Sequence, residues 1–407
     1  MADYCLIGRR LNYSYSKVVH NKLGYDYDLT EVKEGELGAF VRARKYKGFN
    51  VTIPYKSAII EYLDRITDEA KKLGVVNLVM DEGGKLVGYN MDIRGMEYAL
   101  ERSGVSLAGK KVLVLGTGNT SATAAYLAEK AGAKEIVKIS RTGENTYENI
   151  ARHRGASFII NTTPVGTYPS NEDCLLDLSL FPDLEGVQEV IYNPFKTRLV
   201  LQAEARSLAV ATGLDMLVGQ AYYTAEKFTG RLPDRAVVDR IVREILRDDG
   251  NIVLVGMPSC GKTTIGRALA ASLGRPFVDT DEEIVKAHGD IPTIFAEEGE
   301  AVFRVYESEV IAEVGKRHGL VIATGGGAVK SERNILNLKQ NGTVVYVKRD
   351  LSELTADGRP LSQNGKIAAL YKERAPIYER IADITVMNDG SISDAVGAIL
   401  KEEEKQG

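Results

Sequence analysis

Residues 256–263 read Gly-Met-Pro-Ser-Cys-Gly-Lys-Thr and satisfy G-x-x-x-x-G-K-[ST] at every fixed position. Phosphate chemistry needs that spacing. Glycines let backbone amides wrap a triphosphate, Lys262 reaches the β/γ oxygens, and the Thr263 hydroxyl meets Mg²⁺. A strand-like run, Asn-Ile-Val-Leu-Val, precedes the loop, and a helical stretch, 264–273, follows it. Downstream, Asp279 and Asp281 stand at i and i+2 after a short apolar run. Strand alternation would send both carboxylates toward one site, one near Mg²⁺ and one accepting a substrate hydroxyl. Arg304 and Glu307, at i and i+3, share a helix face. The triplet Gly325-Gly326-Gly327 would let a ligand lie against bare backbone. Gly358-Arg359-Pro360 sits in a polar stretch, 354–364, that reads as a mobile lid bringing a cation to phosphates. Arg374 lies just before Pro376, which is expected to break its helix.

A second set of residues occupies the first 250 positions. Lys-Val-Leu-Val-Leu-Gly-Thr-Gly-Asn-Thr-Ser, 111–121, is strand, glycine turn and helix start, with Ser121 where a third Gly is usual in a dinucleotide loop. The next strand ends in Ser140-Arg141-Thr142. An acid there would bond the ribose hydroxyl of NAD, whereas Arg141 suits a 2′-phosphate, so NADP is favoured. Upstream lie Gly-Phe-Asn-Val-Thr-Ile-Pro-Tyr-Lys at 48–56, Val76-Asn77 and Asn90-Met91-Asp92.

Strand-like runs at 111–115, 135–139, 158–160, 251–255, 321–323 and 343–347 alternate with helix-length segments, the pattern of parallel βαβ units. The clearest break is Arg247-Asp248-Asp249-Gly250, after a helical stretch at 233–246. The expected organisation is α/β throughout. Residues 1–103 form one lobe, with 214–247 packing back on it. Residues 104–213 form a Rossmann-like lobe, and 248–407 a P-loop domain with a parallel sheet. The 407 residues are 44% hydrophobic and 27% charged, with a net charge of -4. That excludes a mostly disordered chain and leaves no basic field for nucleic acid or anionic lipid. No apolar run is long enough to span a membrane. Three cysteines and four histidines form neither a disulfide framework nor a zinc site, and a reducing cytoplasm is expected.

The order of these motifs is specific. Residues 251–390 resemble shikimate kinase in the P-loop, D-x-D, F-R-x-x-E, Gly triplet, R-P-L lid and R-A-P-x-Y segment. The resemblance implies that Ser259, Cys260, Gly261, Lys262, Thr263, Thr264 and Arg359 contact ATP. It further implies that Thr263 and Asp279 order Mg²⁺, that Asp281, Arg304, Gly325, Gly326, Gly327 and Arg374 hold shikimate, and that Lys262 and Asp281 are catalytic. The lid departs in being short, with Arg359 its one cation.

Residues 1–248 resemble shikimate dehydrogenase. The matching motifs are S-x-S at Ser14 and Ser16, N-V-T-x-P-x-K, V-N, N-x-D, the glycine turn and S-R-T. They continue in Asn-Thr-Thr-Pro-Val-Gly at 161–166, Tyr-Asn-Pro-Phe-Lys-Thr at 192–197 and M-L-x-x-Q-A ending at Gln220-Ala221. The resemblance implies a Lys56–Asp92 acid/base pair. It implies substrate contacts from Ser14, Ser16, Thr52, Asn77, Asp92, Tyr192 and Gln220. It implies NADP contacts from Gly116, Thr117, Gly118, Asn119, Thr120, Ser140, Arg141, Thr142 and Gly213. Tyr13, Lys17 and Asn119 stand where His, Pro and Gly are usual.

The expected protein is therefore a fusion of two consecutive enzymes sharing shikimate, with NADP(H), ATP and Mg²⁺ as cofactors and small molecules as partners. Oligomeric state has no signature in the sequence. Three other readings stay open: a quinate-preferring dehydrogenase, a kinase for another small metabolite, and a non-catalytic metabolite sensor. The presence of Lys56, Asp92, Lys262 and Asp281, with no basic DNA-binding segment, opposes the sensor.

Overall fold

The computed structural model describes residues 2–11, 14–354 and 367–406. Arg359, Gly358, Pro360 and nearly all of the expected lid lie outside the described residues, as do Asn12 and Tyr13. The chain divides into two compact units. One comprises Met1–Thr167 and Asp173–Val242, the other Tyr168–Glu172 and Arg243–Gly407. The division falls within the helix Arg235–Asp249.

The first unit holds two sheets. Strands β1 (Tyr4–Gly8), β2 (Tyr27–Glu31), β3 (Gly48–Val51), β4 (Arg65–Ile66), β5 (Leu78–Glu82) and β6 (Lys85–Tyr89) run in the order β2-β1-β3-β5-β6-β4. β1 is parallel to β2 and β3, and β5 and β6 form a hairpin over Gly83-Gly84, both at positive φ. Because β1 and β3 are parallel, the loops after Gly8 and Val51 leave the same sheet edge. Arg9 N donates to Ile53 O there at 3.3 Å.

The second sheet contains β7 (Lys111–Leu115), β8 (Glu135–Ile139), β9 (Phe158–Asn161), β10 (Gly186–Glu189) and β11 (Ala209–Ala211), all parallel in the order β11-β10-β9-β7-β8. Chain direction across the sheet reverses between β7 and β9, and ligands of such sheets sit beyond the carboxyl ends at that switch point. The run Val-Leu-Val-Leu of β7 is fully buried because helices cover both faces of a parallel sheet.

The second unit has one parallel sheet: β12 (Asn251–Val255), β13 (Phe277–Asp279), β14 (Val321–Ala323), β15 (Gly342–Lys348) and β16 (Ile384–Met387), ordered β13-β14-β12-β15-β16. Central β12 is buried along its whole length and delivers the chain into the Gly256 loop.

Two local expectations are corrected. Asp279 and Asp281 do not share a strand. β13 stops at Asp279, which caps the helix Thr280–His288 by accepting from Asp281 N at 3.0 Å. An N-cap Asp followed by acidic Glu282 and Glu283 suits a helix start better than a strand. Pro376 does not break its helix, which runs Ile367–Ile381. Pro376 and Lys372 are both on the exposed face, so water can satisfy the carbonyl that proline leaves without a donor.

Candidate functional site

In the first unit, Lys56 and Asp92 meet. Lys56 Nζ donates to Asp92 Oδ2 at 2.6 Å, and both side chains are largely buried. Asp92 opens the helix Asp92–Ser103, immediately after β6. Its second oxygen accepts from Asn77 Nδ2 at 2.9 Å, and Asn77 Oδ1 accepts from Met91 N at 2.6 Å. The network reaches deeper. Asn50 Nδ2 donates to Asn77 O at 3.2 Å, and Tyr27 OH donates to Asn50 Oδ1 at 2.6 Å. Lys56 O accepts from Val76 N at 2.9 Å, which fixes the backbone from which the ammonium projects. Asn50 carries no role in the sequence reading, although it is the Asn of N-V-T. Its burial is the signal, and burial of a polar side chain is a tertiary fact.

Contacts link the segments that carry the other expected substrate residues. Thr52 directly follows β3, and a Cβ on Gly8 would lie 2.6 Å from Thr52 Cγ2, so the loops after β1 and β3 touch. The first of them continues to Ser14 and Ser16, where Ser16 N donates to Ser14 Oγ at 3.2 Å. The Tyr15 and Tyr192 rings meet edge to face at 6.1 Å, bringing the loop after β10 against this segment. Burial pushes the Tyr192 phenol up. Gln220 lies on the helix Gly213–Thr229, and a Cβ on Gly95 would lie 2.9 Å from Gln220 Cβ. Gly95 is one turn past Asp92, so only glycine there lets the Gln220 helix approach the Asp92 helix so closely.

The glycine turn arrives at the same place. Gly116 has φ +109 and Gly118 caps the helix Asn119–Lys130. Ser121 replaces the usual third Gly without crowding, because its hydroxyl turns back to Gly116 O at 2.7 Å. Asn119 Nδ2 donates to Ser57 Oγ at 3.2 Å, one residue from Lys56. Thr117, Gly118 and Asn119 are exposed and Thr120 half-buried, leaving backbone N–H groups of a helix start available to a pyrophosphate. Beyond β8, Arg141 and Thr142 are exposed, and the Ser140 hydroxyl donates to Thr142 O.

In the second unit, Gly256 and Gly261 have φ +148 and +96, and Ser259, a non-glycine, has +64. Cys260 is buried beneath the loop, and the helix starts at Lys262 with Thr263 and Thr264 in its first turn. Lys262 Nζ donates to Gly256 O and Met257 O, both at 2.9 Å, so the ammonium lies inside the loop it serves. Thr263 Oγ1 donates to Asp279 Oδ2 at 2.7 Å. A hydroxyl and a carboxylate form a hard-oxygen pair that suits Mg²⁺, which keeps most of its waters and needs few protein ligands. Asn388 was not singled out by its sequence. It follows β16 and donates to Cys260 O at 2.8 Å, supporting the loop from the side.

The glycine triplet is where the remaining residues converge. A Cβ on Gly325 would lie 2.6 Å from Asp281 Oδ1 and 3.1 Å from Glu307 Oε1. On Gly326 it would lie 2.9 Å from Pro258 Cδ, and on Gly327 2.5 Å from the Arg304 guanidinium. Arg304 pairs with Glu307 at 2.8 Å and Glu300 at 3.0 Å. Burial pushes the Glu307 carboxyl up, against the pull of Arg304. Arg374 is buried, and its Nε has no hydrogen bond among the described residues. Tyr378, one turn on, donates to Gly326 O at 2.5 Å and holds the triplet in place.

Fold and site together define a dinucleotide-dependent α/β oxidoreductase in the first unit and a P-loop phosphotransferase in the second. Family models match accordingly: shikimate dehydrogenase substrate binding domain over residues 6–79, shikimate 5'-dehydrogenase C-terminal domain over 213–243 and shikimate kinase over 258–403. The NADP(+) shikimate dehydrogenase of Clostridium beijerinckii is 37% identical over 248 residues, 56% of this chain and 91% of that protein. That of Geobacillus kaustophilus is 36% identical over 272 residues, 60% of this chain and 98% of the relative. The crystal structure of shikimate 5-dehydrogenase from Thermus thermophilus with NADP(H) and shikimate superposes with a TM-score of 0.55 at 29% identity, covering 60% of this chain and 99% of that one. A chorismate mutase/shikimate 5-dehydrogenase fusion from Clostridium acetobutylicum gives 0.57 at 28%, covering 60% and 96%. The chain belongs to the shikimate dehydrogenase family and carries a shikimate kinase domain behind it.

Proposed function

We propose that this bifunctional enzyme reduces 3-dehydroshikimate to shikimate with NADPH and then phosphorylates the shikimate 3-hydroxyl with MgATP. Residues 1–103 and 214–247 form the dehydrogenase substrate lobe, 104–213 the NADP lobe and 248–407 the kinase. The observation that carries the reading is the Lys56–Asp92 pair at 2.6 Å, one residue from the contact between Ser57 and the glycine turn. Acid/base machinery and dinucleotide loop thus share one cleft.

Bound NADPH supplies the hydride to the carbonyl carbon. Lys56 gives a proton to the oxygen that becomes the alcohol, and Asp92, held by Asn77, aims the ammonium. Ser14, Ser16, Thr52, Asn77, Tyr192 and Gln220 offer hydrogen bonds to the ring acid. Arg141 selects the 2′-phosphate cofactor. In the kinase, Thr263 and Asp279 hold Mg²⁺, which when bound neutralises phosphate charge. Arg304 and Arg374 face the substrate carboxylate, and Asp281 orients the attacking hydroxyl. Lys262 exchanges its two loop carbonyls for phosphate oxygens. Among the described residues no helix is long and apolar enough to cross a membrane. The three cysteines are unpaired, as suits a cytoplasmic protein.

Two assays on the purified full chain test this. NADPH oxidation by 3-dehydroshikimate and ATP consumption with shikimate are both expected, with quinate oxidised less efficiently than shikimate. Absence of either activity in folded protein contradicts the corresponding half of the reading.

A further inference from the structure

Two motifs of the first unit, Asn-Thr-Thr-Pro-Val-Gly at 161–166 and Tyr-Asn-Pro-Phe-Lys-Thr at 192–197, meet at one buried carboxylate. Glu189 ends β10 and is fully buried. Its Oε1 accepts from Asn161 Nδ2 at 3.0 Å, Val190 N at 2.9 Å and Ile191 N at 3.1 Å. Its Oε2 accepts from Asn161 Nδ2 at 3.0 Å and Thr197 Oγ1 at 2.8 Å. All four groups are donors, and only an acceptor-only side chain satisfies them together. Burial pushes the Glu189 carboxyl up to about 7, so its ionised form is costly where it stands.

What Glu189 holds lies against two glycines of the proposed NADP site. On one side are Val190 and Ile191. A Cβ on Gly213 would run into Ile191 O and C, so the start of the Gly213–Thr229 helix rests on backbone that Glu189 anchors. On the other side is Asn161, whose Oδ1 accepts from Thr163 N at 3.0 Å and Thr163 Oγ1 at 2.8 Å. Between these two residues, Thr162 donates through Oγ1 to Leu115 O at 2.5 Å. A Cβ on Gly116 would lie 2.9 Å from that same Oγ1. Thr197 also caps the helix Arg198–Ala205, donated to by Val200 N at 3.3 Å.

We propose that Glu189 is a positioning residue for the dinucleotide, fixing from beneath the two backbone segments on which Gly116 and Gly213 rest. The proposal rests on the reading of those glycines as NADP contacts. Glu189→Gln keeps shape and volume but turns an NH₂ toward incoming donors. In the full chain, KM for NADPH should rise by about tenfold or more, the scale of a buried donor left unpaired. KM for 3-dehydroshikimate should stay within about twofold, and shikimate-dependent ATP turnover should not change. Glu189→Asp restores the carboxylate and should recover most of the NADPH KM. Thr197→Val removes this donor together with the cap of the Arg198–Ala205 helix and should produce the same split at smaller amplitude, which decides the matter if Glu189→Gln fails to fold. Unchanged KM for NADPH, or equal rises for both substrates, overturns the proposal. Loss of NADPH oxidation in the unsubstituted enzyme would instead defeat the dehydrogenase reading itself.

Discussion

Gly325→Ala is the sharpest perturbation of the kinase site. Gly325 is buried two residues beyond β14 and its φ is one that alanine adopts, so the effect is purely one of space. The new methyl would stand 2.6 Å from Asp281 Oδ1 and 3.1 Å from Glu307 Oε1. Ordinary van der Waals contact begins at 3.4 Å, so the Asp281 oxygen must retreat by roughly 0.8 Å and the Glu307 oxygen by a few tenths. A misplacement near 1 Å in a reacting group costs on the order of 100-fold, so kcat/KM for shikimate phosphorylation should fall by about 30- to 100-fold. Overpacking should cost about 1–3 kcal/mol of stability in the second unit. The assay is ATP consumption with shikimate, with NADPH oxidation by the same preparation as internal control, expected unchanged. Gly397→Ala is a matched substitution in the same unit. Its Cβ meets nothing within 4 Å, and it should leave kinase activity intact while adding about 0.5–1 kcal/mol of helix stability. A Gly325→Ala enzyme within twofold of normal kinase efficiency would refute the assignment of Asp281 and the triplet to the reacting site.

Lys56→Ala should lower NADPH oxidation by about 10²- to 10⁴-fold and spare ATP use, whereas Lys262→Ala should do the reverse. Loss of both activities from either substitution would contradict two separate centres. Tyr27→Phe removes the donor to Asn50 Oδ1 and should cost about 1–2 kcal/mol of stability together with a severalfold drop in dehydrogenase kcat, measured by urea unfolding and initial rates. His20 is buried against Tyr27, and burial lowers its pKa from 6.5 to about 3. A lowered folded-state pKa means stability that is complete above 6.5 and lost as pH falls below it, by about 2 kcal/mol near pH 5. Glu189 acts oppositely, since its raised pKa gives stability that is complete below about 4.5 and lost as pH rises to about 7. The difference between the pH-stability curves of the unsubstituted protein and His20→Gln isolates the histidine. Parallel curves would contradict its neutral burial.

The strands that carry the loops were legible because fully covered parallel strands leave unbroken apolar runs. Val-Leu-Val-Leu at 112–115 and Ile-Val-Leu-Val at 252–255 are such runs, and β7 and β12 lie there. Lys56 and Asp92 are ordinary as residue types and enter as an acid/base pair only through the resemblance, and their meeting at 2.6 Å depends on pairings of β3, β5 and β6 across distant positions. The Asp279–Asp281 spacing was read with the strand period, although Asp279, Glu282 and Glu283 carry a helix-start signature. Pro376 was read as a stop, because its solvent-facing position cannot be seen without the neighbouring layer. Asn388 and Glu189 gave no signal, and Asn50 stood in the N-V-T motif with no role of its own. Each acts by being buried beside a particular backbone donor or acceptor, and ordinary Asn and Glu residues carry no mark of that.

The most direct test is a single reaction of the full chain with 3-dehydroshikimate, NADPH and MgATP, following both cofactors and shikimate 3-phosphate. Once steady state is reached, NADPH oxidised, ATP consumed and phosphorylated product formed should be equimolar. NADPH oxidation with shikimate accumulating unphosphorylated, or ATP consumption independent of any ring acid, would contradict an enzyme whose two centres share one intermediate.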